Sequence, residues 1–539
     1  MRRLACGLLT LVTAAALTAC ASPATPRAGN DEYLVFYADG QRSQAVAAVE
    51  NAGGTTVSTE DKLGYLLAKG GGNGFVESLG GDRAIVGVSA DREIGFATSL
   101  PAAPAAFPDV SSLSSRTSGE PLAGRQWDMR MIGADRAHQK APGTKKVLVG
   151  IIDTGVDGKH PDIAPNFNRE LSRNFVTDKP KDANGDTLDG PCEVSSCKDP
   201  VDADDDGHGT HVASTIGSPI NGIGIAGVAP GVQLVNIRAG QDSGFFFLKP
   251  SIDALTYAAD IGVDVVNMSY YVDPWLFNCA NNKADSKKEQ LEQRAIITGM
   301  QRAIDYARSK GVTIISALGN GSTDLGKPKV DKSSPGYPRG GEKERKVDNS
   351  CVNVPAESKG VISVSSVGPT GRKAVYSDYG IEQADLAAPG GDGSDGKGVA
   401  ASRLILAAAP ERVLRATGKL DKSGKPKTSQ VIRDCTGGTC SYYQYLEGTS
   451  MAAPHATGVA AILISRFGKP GKGGLTMDPA AVEKLLYQTA APKPCPSPKA
   501  YVYSDYGDKV THTCEGGTSK NGFYGHGLVD AWKAATAGP

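Results

Sequence analysis

The 539-residue sequence has no excess of charge of either sign, because 58 Lys and Arg residues balance 58 Asp and Glu residues. Without a basic surplus, the composition gives no indication of binding to nucleic acid or to an anionic membrane surface. Glycine and proline, at 67 and 32 residues, stay below the roughly 25–30% share that marks a disordered chain. The composition is that of a globular protein and excludes a fibrous or a disordered one.

After the first 25 residues no apolar run reaches about 18 residues, so we expect no transmembrane helix. The N-terminal segment has two arginines followed by an uncharged stretch rich in Leu and Ala, which is typical of a secretory signal peptide. Leu17-Thr-Ala-Cys20 resembles a bacterial lipobox. We therefore expect residues 1–20 to be the signal peptide and Cys20 to carry a lipid that tethers the protein to the membrane. Ordinary cleavage after Ala21 is the alternative.

The cysteines also favour export. Cys6 and Cys20 belong to the N-terminal segment, and an even number remains in the rest of the chain, which predicts disulfides. Connectivity is open in principle, and we expect neighbours along the sequence to pair. No Cys-x-x-Cys is present, so a zinc site is not expected. The expected pairs are Cys192–Cys197, Cys279–Cys351, Cys435–Cys440 and Cys495–Cys514.

Three parts can be distinguished along the chain. Residues 30–97 have the element order β-α-β-β-α-β, which predicts a small ferredoxin-like unit. Residues 98–124 are rich in proline and serine, as in a linker. Residues 125–536 alternate continuous apolar strands with helices, as in a doubly wound, mostly parallel α/β sheet.

Two motifs offer an acid and a histidine. The apolar strand 147–152 ends in Asp153-Thr-Gly, and the carboxyl ends of parallel strands line the sites of open α/β sheets. His208 lies at a predicted loop-to-helix junction, where the positive helix end favours a neutral imidazole that can act as a base. Taken alone, this motif is equally consistent with Asp153 as an ordinary turn residue. His211 is either structural or half of an i, i+3 metal pair, although no His-Glu-x-x-His accompanies it.

Two further motifs offer an amide and a hydroxyl. A second apolar strand ends in Gly319-Asn320-Gly, where the Asn side chain can donate to an oxyanion or simply form a turn. Ser450 opens an apolar helix, which exposes its Oγ and leaves its backbone N–H available to an anion. His455 lies about 7.5 Å further along that helix, so we exclude it as the base for Ser450.

Taken together, D-T-G, G-H-G-T-H-V-A and G-T-S-M-A-A-P-H resemble the subtilisin-like serine proteases (subtilases, peptidase S8 type). The resemblance covers residues 125–536 and implies a subtilisin-like α/β fold. It also implies a triad of Asp153, His208 and Ser450, with Asn320 as the oxyanion donor. The implied activity is that of a secreted or cell-surface serine endopeptidase that forms an acyl-enzyme.

The N-terminal unit fits the same resemblance. Residues 30–97 resemble the inhibitory propeptide of subtilases in size and strand order, which implies a zymogen. Maturation is then expected by cleavage within 98–124. The expected partners are a protein or peptide substrate and the chain's own propeptide, with no nucleic acid and no membrane contact except through the lipid.

Two segments depart from the usual pattern of the family. The family commonly has S-L-G where this chain has Ser269-Tyr270-Tyr271, and A-A-G-N where it has Ala317-Leu318-Gly319-Asn320. By resemblance both segments line the substrate cleft, so we expect Ser269, Tyr270 and Gly319 to bind substrate, unless the larger side chains point away. Extra stretches near 178–205, 272–295, 322–352, 391–447 and 492–520 are expected to be surface insertions pinned by disulfides.

No cofactor is expected for the chemistry, and the metal ligands are left open. Structural calcium is possible, since many subtilases bind it. Oxygen ligands at Asp182, Asn184, Asp186 and Glu193 partly match a calcium loop, but Thr187 replaces the glycine that such a loop needs. A solvated acidic turn is the alternative.

Two other functions remain open at this point. The first is a non-enzymatic binding protein on the same scaffold, which a complete triad argues against. The second is a serine esterase of another fold. An esterase of that kind requires G-x-S-x-G around the nucleophile, and Ser450 lies in G-T-S-M-A instead.

Overall fold

The computed structural model describes residues 32–91 and 119–538, except residues 71, 73, 183, 339, 397–398 and 506–508. The expected signal peptide, Cys20 and most of the linker 98–124 lie outside the described residues. Within them, none of the helices combines the length and the apolar character needed to cross a bilayer.

The elements are numbered here in chain order. The helices are α1 (Arg42–Asn51), α2 (Phe75–Leu79), α3 (Trp127–Met131), α4 (Ala134–Ala137), α5 (His208–Gly217), α6 (Leu248–Ile261), α7 (Lys287–Ser309), α8 (Glu411–Ala416), α9 (Thr449–Phe467), α10 (Pro479–Thr489) and α11 (Ala531–Thr536). The strands are β1 (Glu32–Tyr37), β2 (Thr55–Glu60), β3 (Tyr65–Lys69), β4 (Ile85–Ala90), β5 (Leu148–Ile152), β6 (Arg173–Asn174), β7 (Gln233–Arg238), β8 (Val265–Met268), β9 (Thr313–Ala317), β10 (Val330–Ser334), β11 (Lys343–Lys346), β12 (Val361–Val367), β13 (Leu386–Pro389), β14 (Ile405–Ala408), β15 (Val431–Asp434), β16 (Ser441–Leu446), β17 (Lys469–Gly471), β18 (Gly474–Thr476), β19 (Ala500–Tyr503) and β20 (Val510–Thr513).

The N-terminal module, residues 32–91, contains all six expected elements. Its antiparallel sheet has the order β2-β3-β1-β4, which is the ferredoxin-like arrangement. Strand β1 is apolar on both faces. Val35 packs against the module's own helices, whereas Leu34 and Phe36 belong to a core that includes helices α6 and α7. The module is therefore packed on the main domain through one whole face of its sheet.

The main domain is built on a seven-stranded sheet of order β13-β12-β9-β8-β5-β7-β6, and every pair in it is parallel. One face carries α5, α9, α10 and α11, and the other carries α6 and α7. Coverage of both faces explains the continuous apolar runs of the central strands. The predicted doubly wound, mostly parallel fold is confirmed.

Local signals set the boundaries of two elements beside the sheet. Strand β8 begins at Val265, because Gly262 has φ +83° and the N–H of Val263 closes the end of α6. Helix α7 begins at Lys287, where Ser286 and Glu289 form a capping box. The last residues of the expected insertion 272–295 are therefore the first turns of a long helix.

Three of the other insertions have strands of their own. Strands β10 and β11 form a hairpin within 322–352, β14, β16 and β15 form a three-stranded sheet within 391–447, and β19 and β20 pair within 492–520. The described residues contain four disulfides, with the pairing expected from neighbours in the sequence: Cys192–Cys197, Cys279–Cys351, Cys435–Cys440 and Cys495–Cys514.

Candidate active site

Asp153 directly follows β5, near the middle of the main sheet. Its backbone carbonyl accepts the N–H groups of Ala239 and Gly240, and its Oδ1 accepts the N–H of Thr154 at 2.8 Å. The residue is fully buried. A carboxylate at this strand end is therefore held rigidly at the carboxyl edge of the sheet, as the strand-to-turn motif predicts.

His208 is the first residue of α5, after Gly207 in a left-handed conformation. Its Nδ1 lies 2.7 Å from Oδ1 of Asp153. Because a carboxylate only accepts, we assign the proton to Nδ1 and acceptor character to Nε2. Nε2 is buried and has no hydrogen-bond partner within the described part of the chain. The ring therefore presents an unused basic nitrogen.

The charge balance at His208 differs from the sequence expectation of a neutral ring. Burial lowers the pKa of His208, but attraction by Asp153, its hydrogen bond and the nearby carboxylates of Asp206 and Asp204 outweigh this and raise the pKa to about 9. Three carboxylates thus favour the protonated ring more than the start of α5 and burial disfavour it. Two of them, Asp204 and Asp206, precede His208 in an acidic loop.

Ser450 is the second residue of α9, next to Gly448 at φ +155°. Its Oγ donates to the carbonyl oxygen of Ser269 at 3.2 Å, and Oγ of Ser269 donates to the carbonyl oxygen of Ser450 at 3.1 Å. The hydroxyl is thus directed at the end of β8 in this structure, and it makes no hydrogen bond to Nε2 of His208. Such bonds often form only in the substrate complex.

Asn320 lies beside the start of α9. Its Oδ1 accepts both the backbone N–H and the hydroxyl of Thr449, each at 2.9 Å, and the N–H of Gly319 donates to the same hydroxyl at 3.1 Å. Because the carbonyl end of the amide is fixed on Thr449, the orientation of the NH2 end is fixed as well. This is the arrangement that an oxyanion donor needs.

A cavity of about 180 Å³ opens beside Ser450. Among the described residues, its lining contains no charged side chain. The lining residues are Ser269, Tyr270, Tyr271, Leu276, Ala317, Gly319, Asn320, Gly321, Ser333, Asn353, Thr449 and Ser450.

The structure thus places Ser269, Tyr270 and Gly319 at this cavity, as the family pattern implies. Tyr270 is held by stacking on Phe246, with ring centroids 4.0 Å apart. Tyr271, a second enlarged position, also lines the cavity. Leu318, the third, is fully buried in a separate cluster with Cys279 and Cys351. The sequence reasoning missed Leu276, Ser333 and Asn353. They come from or follow insertions, and no local pattern reveals which loop reaches the cavity.

The other histidines of the motifs have structural partners. Nε2 of His211 lies 3.1 Å from the carbonyl oxygens of Ile405 and Gln444, and burial lowers its pKa to about 3. His455 pairs with Asp128 through Nε2 at 3.1 Å and with the carbonyl oxygen of Met451 through Nδ1 at 2.8 Å. Both nitrogens of His455 are therefore in contact with a partner, whereas Nδ1 of His211 has none among the described residues.

The predicted calcium loop has a different local structure. Oδ1 of Asp182 accepts the N–H groups of Asn184 and Asp186, so these residues form an exposed acidic turn. Glu193 instead approaches a second group of acids. That group is Asp178, Glu193, Asp199 and Asp242, whose potential ligand atoms lie within 4.8 Å of one another.

An arginine already neutralises much of this second group. The guanidinium of Arg238 contacts Asp178 and Asp199 at 2.6 Å each and Asp242 at 3.0 Å. Burial raises the pKa of Asp242 to about 8 despite this partner. The acids are therefore organised around a resident cation, and structural calcium stays a prediction.

Comparison with known proteins decides the family. The model of the Subtilase family matches residues 144–527, which is more than half of the chain. This chain is a subtilase. The sequence-based prediction of a peptidase S8 serine endopeptidase is confirmed at the level of the family, whose members are enzymes of that class.

Curated relatives match at low identity. Fervidolysin of Fervidobacterium pennivorans is 28% identical over 388 residues, which cover 70% of this subtilase and 42% of fervidolysin. The epidermin leader peptide-processing serine protease EpiP of Staphylococcus epidermidis is 28% identical over 354 residues, which cover 64% of this chain and 66% of EpiP. The chain thus spans less than two thirds of the length of these relatives.

Solved structures match over nearly the whole subtilase. The crystal structure of a point mutant of EpiP from Staphylococcus aureus aligns with a TM-score of 0.60 at 22% identity, over 95% of this chain and 100% of that chain. Fervidolysin aligns with a TM-score of 0.56 at 23% identity, over 95% of this chain and 61% of that chain. At these identities the match concerns the fold.

Proposed function

We propose that this subtilase hydrolyses peptide bonds with Asp153, His208 and Ser450 as its catalytic triad. The observation that carries the proposal is the 2.7 Å contact between Nδ1 of His208 and Asp153, which leaves Nε2 without a partner among the described residues. Ser450, in the first turn of α9, lines a cavity of about 180 Å³. An oriented imidazole together with a helix-start hydroxyl is the arrangement of a serine nucleophile and its base.

The reaction follows from these roles. The Ser450 hydroxyl leaves the Ser269 carbonyl and turns towards Nε2 of His208, which takes its proton while Oγ attacks the peptide carbonyl. Asp153 keeps the proton on Nδ1 and stabilises the imidazolium that forms. The imidazolium then protonates the leaving amine, and water, deprotonated by the same nitrogen, hydrolyses the acyl-enzyme.

Asn320 and the backbone N–H of Ser450 stabilise the negative charge on the carbonyl oxygen. Both groups are fixed before substrate arrives, Asn320 by Thr449 and Ser450 by the start of α9. Donors that need no reorganisation during the reaction give the largest electrostatic gain.

The N-terminal module is proposed to be the inhibitory propeptide of a zymogen. It is joined to the main domain through residues 92–118 and packs on α7 by non-covalent contacts. The guanidinium of Arg302 on α7 donates to the carbonyl oxygens of Tyr37, Leu63 and Gly64 at 2.9–3.1 Å. Arg294 likewise donates to the carbonyl of Val86 at 3.0 Å. These hydrogen bonds add to the apolar packing of β1 against α6 and α7, and non-covalent contacts of this kind let the module dissociate once the linker is cleaved.

Export is proposed from two features. The first is the signal-like sequence that ends in Cys20, with a lipid on Cys20 as the expected anchor to the outer face of the membrane. The second is the set of four disulfides, which persist in oxidising compartments and are rare in the cytosol.

Labelling by a fluorophosphonate probe tests the nucleophile. We expect the wild-type protein to be labelled and the label to be lost in Ser450→Ala, with Ser441→Ala as a buried-serine control that keeps it. A protein that cleaves no peptide and takes no label would make the subtilase a binding protein on this scaffold. Rapid ester turnover without cleavage of any protein would favour an esterase.

Intact-mass and N-terminal analysis of the expressed protein tests the zymogen. We expect the wild type to lose, by self-cleavage within 98–124, the residues between the signal peptide and the cleavage point, and Ser450→Ala to keep them. Arg302→Ala should speed the appearance of activity, whereas Arg42→Ala, which removes an exposed ion pair inside the module, should not. The mass of Ser450→Ala, which keeps Cys20, reports a lipid on that residue, and identical masses for wild type and Ser450→Ala would refute self-processing.

A further inference from the structure

The carboxylate of Asp378 lies directly behind the loop that carries Asn320. Its Oδ1 accepts the N–H of Thr323 at 2.7 Å, and its own N–H donates to the carbonyl of Gly319 at 2.9 Å. Asp378 is 3% exposed. The side chain and the backbone of one buried residue thus bind the loop on both sides of Asn320.

The loop is shaped to receive this carboxylate. Gly319 has φ +124°, and a Cβ at that position would overlap Oδ2 of Asp378. A Cβ on Gly321 would lie 3.2 Å from Oδ1. Both glycines that flank Asn320 therefore give the carboxylate room to touch the main chain, and it occupies the space that two side chains would otherwise fill.

Residues close to Asp378 in the sequence hold the same loop at Ser322 and Thr323. The N–H of Ser322 donates to the carbonyl of Tyr376 at 2.8 Å, and the N–H of Tyr379 donates to that of Thr323 at 3.0 Å. The amino group of Lys373 donates to the carbonyls of Ala374 and Ser377 instead. The carboxylate of Asp378 is therefore directed at the loop and not at a salt bridge.

We propose that Asp378 is a positioning residue for catalysis, because it holds the backbone of the loop that carries Asn320 while Thr449 holds the side chain of Asn320. The inference rests on the proposed function, since it assigns a role only if Asn320 donates to an oxyanion. Burial raises the pKa of Asp378 to about 7, while the N–H groups of Thr323 and Gly321 favour its charged form. Both N–H groups belong to the loop that carries Asn320, so the charged carboxylate and the loop stabilise each other.

A double-mutant cycle between Asp378 and Asn320 tests the proposal. Asp378→Ala should lower kcat about 10- to 100-fold, with KM changed by no more than about 2-fold, because a misplaced donor weakens only transition-state binding. Asp378→Asn keeps an acceptor for Thr323 and should lose less. In the Asn320→Ala background, which itself costs about 10²–10³ in kcat, Asp378→Ala should have almost no further effect, since coupled residues are not additive.

Rates are normalised to the active sites counted by saturating fluorophosphonate, and thermal unfolding is recorded for each variant. Asp264→Asn is the matched control, because it removes a buried carboxylate that accepts one backbone N–H at the opposite end of β8. Equal losses of kcat with and without Asn320, or a loss confined to thermal stability, would overturn the role of Asp378 alone. If the wild type cleaves no peptide, the proposed function itself fails and this inference fails with it.

Discussion

This subtilase contains two buried histidine–aspartate pairs, and their comparison shows what makes one of them a candidate for catalysis. His208 binds Asp153 through Nδ1 at 2.7 Å, and His455 binds Asp128 through Nε2 at 3.1 Å. The second nitrogen of His455 is taken by the carbonyl of Met451. That of His208 has no partner among the described residues.

The difference arises from the position of each ring on its helix. His208 opens α5, where no earlier helical turn offers a carbonyl oxygen, so its ring binds Asp153 through Nδ1 and its Nε2 stays without a partner among the described residues. His455 lies within α9, one turn after Met451, and its Nδ1 contacts the carbonyl of that turn. A histidine beside a carboxylate is therefore not sufficient, because a base also needs an unused nitrogen that faces the reacting group.

The sharpest test exchanges each histidine for alanine. His208→Ala should lower kcat about 10⁶-fold, the scale known for loss of a triad member in this family, while the protein stays folded. His455→Ala should leave kcat within about 3-fold and lower the free energy of unfolding by about 1–3 kcal/mol, since a buried carboxylate loses its partner. Steady-state kinetics and denaturant unfolding on both variants decide. Comparable losses of kcat would erase the distinction between the pairs.

The acids provide the second test. Asp153→Asn should lower kcat about 10⁴-fold, because an amide can hold the ring in the wrong tautomer. Asp128→Asn should change stability and not kcat. The same assays apply, with KM as the internal control for substrate binding. A fully active Asp153→Asn variant would remove Asp153 from the triad.

The pH dependence provides the smallest effect. Catalysis needs a neutral His208, so kcat/KM should rise with pH through about 9. Asp206→Asn should lower the pH of this midpoint by about 1, because it removes one of the carboxylates that favour the protonated ring and a single nearby charge moves a pKa by at least about that much. Asp205→Asn is the control, because Asp205 is paired with Arg412. A midpoint that stays at the same pH in Asp206→Asn would show that Asp153 alone sets it.

The same shift bears on stability with a defined sign. The pKa of His208 is raised above its ordinary value of 6.5, so the protonated ring favours the folded state. This contribution is complete below about pH 6.5 and is lost as the pH rises through about 9. The fold should thus be slightly less stable where the enzyme is most active, and Asp206→Asn should reduce that slope in unfolding measurements from about pH 6 to 10.

Much of the fold was predictable because its signals are local. Apolar runs such as 147–152 indicate strands covered on both faces, and the turn and helix-start motifs around Asp153, His208 and Ser450 need only their neighbours to form. The charge of His208 was not predictable. The helix end argued for a neutral ring, whereas Asp153, which only the fold brings to the ring, raises its pKa most, with smaller contributions from Asp206 and Asp204.

The sequence by itself determined the parallel α/β architecture, the likeness to subtilases and the six elements of the N-terminal module. Each depends on composition, on periodicity or on short spacings along the chain. The tertiary structure alone decided that Ser333 and Asn353 line the cavity, that Arg238 occupies the acidic cluster and that Asp378 contacts the loop of Asn320. These contacts join residues far apart in sequence, and their geometry depends on how whole strands and insertions pack rather than on any local preference.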